Sequence, residues 1–327
     1  MRKKYYLTLD TETATLPFAN EICKTAKEKQ TVAIAKPLVY DIGWTITDRQ
    51  GNIVKKENFL VQETFFVPNV FNTAYYRDKR PIYMKLLEKG EIDVANWNDI
   101  IELLISDLEQ VDLTTAYNAC FDFKKAIPFT ERYISALYTT NYQEWEDNQK
   151  RQCEKMVKNG KSNAKNDEYL NPYFELRGTK YPIADLWCIA CERLININKY
   201  RNFCLERDLV TASVIYFKSS AETSFQYLMN DYDFIEEHTA LSDALIESQI
   251  LTKALKKGKV EPTLYAFPFR DLGTTVDYVI NKQNKYINSL FNLLEEYMEK
   301  NNGFEKAGIY WNKMRKDYDR LDTHRTF

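Results

Sequence analysis

Three segments of this chain each set an acid directly beside a hydrophobic run: YYLTLDTETAT at 5–15, AYNACFDFKKA at 116–126 and EEHTALSDALIES at 236–248. The first is the most constraining. On a strand, residues two apart share a face, so Asp10 and Glu12 project together, about 7 Å apart along the backbone, from the end of an otherwise apolar strand. A carboxylate pair so placed can hold hard divalent cations. Taken alone, the segment reads more simply as a strand end, with Thr11 or Thr13 capping the turn that follows. The two companion segments outweigh that reading.

The pattern around these segments predicts an α/β layer. Residues 5–9 read as a buried strand, 38–47 as a second, and 53–61 as a third after the turn signal Asp48-Arg49-Gln50-Gly51. The polar, Lys-rich stretch 13–36 reads as a surface excursion over the site. Residues 97–108 show helical spacing, with Asn98 or Asp99 near the start, and 113–117 return to the sheet. The charged stretch from about 138 to 173 reads as a solvated insertion or helical hairpin, because its lysines are interleaved with acids; a basic substrate-gripping arm is the alternative. Residues 221–255 read as helical with a break at 230–234, closed by Lys256, Lys257 and Gly258. Beyond Pro262, two further helices are expected near 275–300 and 304–321. The boundaries are therefore a domain over 1–260 and a helical C-terminal extension over 261–327, a candidate contact for a protein partner.

With 327 residues and 44% hydrophobic content, the chain can bury one large core or two modest ones. A net charge of -2 argues against a protein that coats nucleic acid by charge neutralisation. Six cysteines are too sparse for a disulfide framework at this length. Cys188 and Cys191, in ADLWCIACERL, recur with apolar residues at helical spacing and read as core, with no second pair or histidine cluster beside them to complete a zinc site. The start MRKKYYLTLD reaches an acid before any signal-like apolar stretch forms, and no apolar run approaches membrane-spanning length. A cytoplasmic protein with no membrane association is the expectation.

Asp122, four residues after Asn118, reads alone as the N-cap of FDFKKAI. His238 is one of two histidines in the chain and stands at the start of the helix carrying Asp243, Ala244, Leu245, Ile246 and Ile250; alone it reads as a cap or packing residue. A helix N-terminus disfavours imidazolium, whereas Glu236 and Glu237 favour it, so its charge state stays open.

As a set, the order LDTET, then N-x-x-x-F-D, then H-x-x-x-x-D resembles the three motifs of the DEDDh branch of the DEDD 3′-to-5′ exonucleases, which includes the proofreading subunit of bacterial DNA polymerase III, RNase T and oligoribonuclease. The likeness spans residues 5 to about 257. The YDIGW strand and the segment NTAYYRDKRPIY at 72–83 are also similar to phage-type members. What the resemblance implies is an RNase H-like fold: a central mixed five-stranded sheet flanked by helices, with carboxylates gathered at one end. It further implies that Asp10, Glu12, Asp122 and Asp243 hold two Mg²⁺ or Mn²⁺ ions, roughly 3.5 to 4 Å apart in such sites, and that His238 deprotonates the attacking water. Thr11, Thr13, Asn118 and Phe121 become candidate substrate contacts.

The implied substrate is the 3′ end of single-stranded DNA, with RNA the close alternative, because sugar discrimination depends on what packs against the 2′ position. A non-catalytic nucleic-acid-binding module on the same fold is a third reading; the five intact motif residues argue against it. Tyr117 stands where many relatives have histidine, and Asp185 resembles a recurrent acid of supporting role, or else a helix-start cap. Tyr117, Phe121 and Phe18 are the aromatic rings near the motifs that could stack a terminal base.

Overall fold

The computed structural model describes residues 3–159, 171–209 and 216–263. The helices expected near 275–300 and 304–321 lie outside the described residues, as do positions 160–170 of the charged stretch.

Seven strands form one mixed sheet: β1 (Tyr5–Ala14), β2 (Leu38–Asp48), β3 (Ile53–Val61), β4 (Asp93–Ala95), β5 (Leu113–Ala116), β6 (Tyr173–Leu176) and β7 (Thr179–Asp185). Their order is β4-β3-β2-β1-β5-β7-β6. β1–β2, β2–β3 and β6–β7 pair antiparallel, whereas β1–β5, β5–β7 and β3–β4 pair parallel. Helices flank the sheet, which makes the chain α/β. The count exceeds the expected five through two edge strands, β4 and β6, of three and four residues. Strands that short are at or below the length over which a two-residue period can be read.

β1 has neighbours on both sides, and Tyr6, Leu7, Thr8 and Leu9 are buried, as a central strand requires. It runs five residues further than the reading of 5–9. Asp10 and Glu12 therefore lie inside the strand rather than beyond its end, because β2 keeps pairing with it: Asp10 faces Gly43 and Glu12 faces Asp41 before the register shifts between Glu12 and Thr13. All eleven residues of β2 are buried. The β2–β3 turn falls where expected: Gly51 N–H donates to the Asp48 carbonyl at 3.0 Å, and Gly51 takes φ 90°, a conformation natural to glycine.

Stretch 13–36 departs from the surface excursion. It forms two helices, Ala19–Ile22 and Ala26–Ala35, the second opened by a capping box between Thr25 and Glu28. Leu16, Phe18, Ala19, Cys23 and Val32 are buried, and both helices pack on the helix Tyr142–Asn159. These apolar residues are spaced too irregularly among the lysines to register as a face. Helix Tyr142–Asn159 itself takes part of the charged stretch and buries Gln149, Cys153 and Met156. Helix Trp97–Leu108 has the expected bounds, but Asn96 caps it, its side chain accepting from Asp99 N–H at 3.0 Å.

The described residues fall into two compact units. One comprises the segments up to Leu186 and from Glu236 onward; the other begins at Trp187 and ends at Ile235. The second contains the helices Asn198–Glu206 and Ala221–Met229 and buries Tyr200, Phe203, Cys204 and Phe225. Cys188 and Cys191 are buried there and form no disulfide, Cys191 Sγ lying 3.3 Å from Ser219 Oγ. Among the described residues they complete no metal-binding group. Among the same residues, no helix is long and apolar enough to cross a membrane.

Candidate active site

The last helix of the first unit, Ala240–Lys257, crosses β1, β2 and β3. Its approach depends on Gly43: a Cβ there would lie 2.6 Å from Leu241 Cα and 2.8 Å from the Ala240 carbonyl carbon. Asp41, two residues earlier on the same strand face, accepts from Ala240 N–H at 2.9 Å, so a buried carboxylate seats the helix N-terminus, where partial positive charge gathers. Tyr83 Oη donates to the same Asp41 oxygen at 2.9 Å.

That docking brings Asp243 against β1. Donor atoms of Glu12, His238 and Asp243 all lie within 4.8 Å of one another. His238 Nδ1 stands 3.7 Å from Asp243 Oδ2 and 3.7 Å from Glu236 Oε2. The histidine lies just outside the helix rather than in its first turn: Thr239 is the N-cap, and His238 takes a left-handed φ of 52°.

Asp122 joins the cluster through β1, and its charge is felt at both Asp10 and Glu247. It is not an N-cap. Asn118 precedes the first turn, left-handed at φ 64° and ψ 46°, and Asp122 sits inside a continuous helical run as the first residue of a π turn, Asp122–Ala126. Such widened turns recur at functional sites. Its Oδ1 accepts from Thr11 Oγ1 at 2.6 Å, so the buried hydroxyl of Thr11 is committed to aiming this carboxylate. The 117–118 turn is held by two more acids: Tyr117 N–H donates to Glu247 Oε2 and Asn118 N–H to Asp185 Oδ1, each at 3.1 Å. Asp185 ends β7, and its own N–H is bonded to Thr263 Oγ1.

Burial and mutual repulsion act together on these groups. Asp10 is held well above the ordinary carboxylate range, first by desolvation and then by the charges of Glu247, Asp122, Asp243 and Glu12. Desolvation likewise raises Glu12, aided by Asp243 and Asp41 and opposed by Lys79, and raises Glu247, aided by Asp122 and Asp243. Burial pushes Asp122 and Asp41 up to about 7, even though hydrogen bonds to both favour the charged form.

All five motif residues thus meet around β1. Of the candidate substrate contacts, Asn118 is exposed, Thr13 and Phe121 are half-buried and Thr11 is buried. Of the candidate stacking rings, Tyr117 is half-buried, but Phe18 is 7% exposed and belongs to the core. Sequence reasoning missed Glu247, one helical turn after Asp243 on the same face. It also missed Asp41, an acid inside an apolar strand, the very signal that singles out Asp10. No family model, curated protein or solved structure matches the chain.

Proposed function

We propose that this chain is a DEDDh-type 3′-to-5′ exonuclease of RNase H-like fold that shortens single-stranded DNA and releases nucleoside 5′-monophosphates. The observation that carries the reading is the convergence of Asp10, Glu12, Asp122 and Asp243, from three distant segments, beside a single histidine. A mixed sheet flanked by helices, with the acids gathered around one central strand, supports the fold assignment.

The donor set fits hard divalent cations: oxygen ligands, closely grouped and mutually repelling, with Lys79 the cation that opposes the charge at Glu12. Asp10, Glu12, Asp122 and Asp243 would hold two Mg²⁺ or Mn²⁺ ions. When bound, such ions stabilise both the entering and the leaving oxygen of a displacement at phosphorus. His238 takes the proton of the attacking water as its oxygen bonds to phosphorus. The bond from phosphorus to the 3′ oxygen of the remaining strand breaks, and the phosphate leaves with the terminal nucleotide. Thr11 keeps Asp122 aimed, Asp41 and Gly43 seat the helix that carries Asp243, and Glu247 and Asp185 hold the turn at Asn118 against the site.

Digestion of 5′-labelled single-stranded DNA and RNA oligonucleotides with Mg²⁺, beside EDTA and Asp10→Ala controls, tests this. The expected result is a ladder shortening from the 3′ end of DNA that both controls abolish. Faster shortening of RNA would move the assignment to an exoribonuclease. No cleavage of either strand, with Mn²⁺ also tried, would overturn it in favour of a binding module.

A further inference from the structure

We propose that Tyr76 and Lys79 are positioning residues that together clamp His238, an inference that rests on the exonuclease reading above. The half-exposed His238 side chain, at 32% exposure, is not fixed by burial, and its backbone is left-handed, a conformation that persists in a non-glycine residue only when its surroundings hold it. Two side chains do so. The Tyr76 ring stacks on the imidazole, with centroids 4.6 Å apart and planes 14° from parallel. Lys79 Nζ sits over the Tyr76 ring, 4.5 Å from its centroid, and donates to the carbonyl of Glu237, the residue just before His238.

Ring on ring, cation on ring and cation on backbone close a circuit through the histidine. The segment is built for it. Tyr76 and Lys79 bracket the 3₁₀ turn Arg77–Lys79, and side chains three apart on such a turn stand on one side. The helix that follows, Arg80–Lys89, carries Tyr83, which reaches Asp41 and through it the N–H of Ala240. One segment therefore grips the chain on both sides of His238, by Lys79 and Tyr76 before the helix start and by Tyr83 through Asp41 after it. A general base works only with its lone pair aimed at the proton it takes, so a loosened ring should lower turnover rather than substrate binding.

The test compares Tyr76→Phe, Tyr76→Leu and Lys79→Met for kcat and KM on single-stranded DNA, and for the imidazole C–H resonances of His238. The chain has only one other histidine, so His324→Gln assigns the spectrum. Tyr76→Phe keeps the stack and should hold kcat within about twofold, whereas Tyr76→Leu should lower kcat about tenfold or more with KM little changed. Loss of the aromatic ring current should also move the His238 resonances downfield in Tyr76→Leu alone. Lys79→Met lies on the surface side of the clamp and should lower kcat in the same sense. Tyr76→Leu and Lys79→Met at wild-type kcat, or unmoved His238 resonances in Tyr76→Leu, would overturn the clamp. If the wild type cleaves neither strand, the exonuclease reading falls, while the resonances still decide whether Tyr76 holds the ring.

Discussion

Gly43 stands directly across the β1–β2 ladder from Asp10, and its missing side chain is where the Leu241 backbone touches the sheet. One residue thus sets the distance between a strand that carries two acids and a helix that carries a third. Gly43→Ala should force the helix off the sheet, costing about 1–3 kcal/mol as overpacking does and lowering turnover as Asp243 shifts. Urea unfolding beside a rate measurement checks both; an alanine variant with unchanged midpoint and rate would contradict the contact.

The acid cluster makes stability depend on pH in an unusual direction. Asp10, Glu12 and Glu247 are held well above the ordinary carboxylate range, and Asp41 and Asp122 rise to about 7. From about pH 4 to about pH 7 the folded chain therefore binds more protons than the unfolded one, and stability falls as pH rises. In EDTA, the melting temperature should drop between about pH 5 and about pH 8. Mg²⁺ should restore most of the loss near pH 8 and change little near pH 5. Circular dichroism melts with and without the cation decide, and a melting temperature that climbs with pH in EDTA would rule out the predicted direction.

Glu247 is expected to matter in a way that separates its shape from its charge. Glu247→Ala removes the carboxylate that accepts from the Tyr117 N–H, a hydrogen bond worth about 0.5–1.5 kcal/mol. Glu247→Gln keeps an acceptor and cannot ionise, so near pH 8 without metal it should melt no lower than the wild type. Equal destabilisation by both variants would show that the hydrogen bond is not what the side chain supplies.

Thr11→Val removes the hydroxyl that Asp122 accepts from while keeping the β-branched shape. A bond to a charged acceptor is worth about 1.5–3 kcal/mol, so if all of it were felt at the transition state the loss in kcat would be roughly tenfold or more. Thr11→Ser should keep most of the rate. Single-turnover kinetics on a labelled oligonucleotide separate the two, and a valine variant at full rate would remove Thr11 from the machinery.

Much of this site is visible in the residues before any coordinates, and the reason is local: Asp10, Glu12, His238 and Asp243 each sit at fixed spacing beside an apolar run. The supports are not local. Asp41 finds Ala240 across 199 positions, and Asn118 finds Asp185 across 67, so neither partner announces the other along the chain. Asp122 is misread as a cap because spacing arguments assume a regular turn, which residues 122–126 do not form. Phe18 is misread as accessible because the lysines around it mask the apolar residues with which it packs.

The π turn after Phe121 has a further consequence. A turn that holds more residues than its neighbours puts the helix before it and the helix Ile127–Leu137 after it out of phase, by about 100° for each residue in excess. Deleting Lys125 would let the two halves wind into a single regular helix. Asp122 would then swing out of line with Thr11 even though no contact had been mutated. The aim of the carboxylate is kept by a surplus in the winding of the backbone, and a shorter chain with the same site residues would lose it.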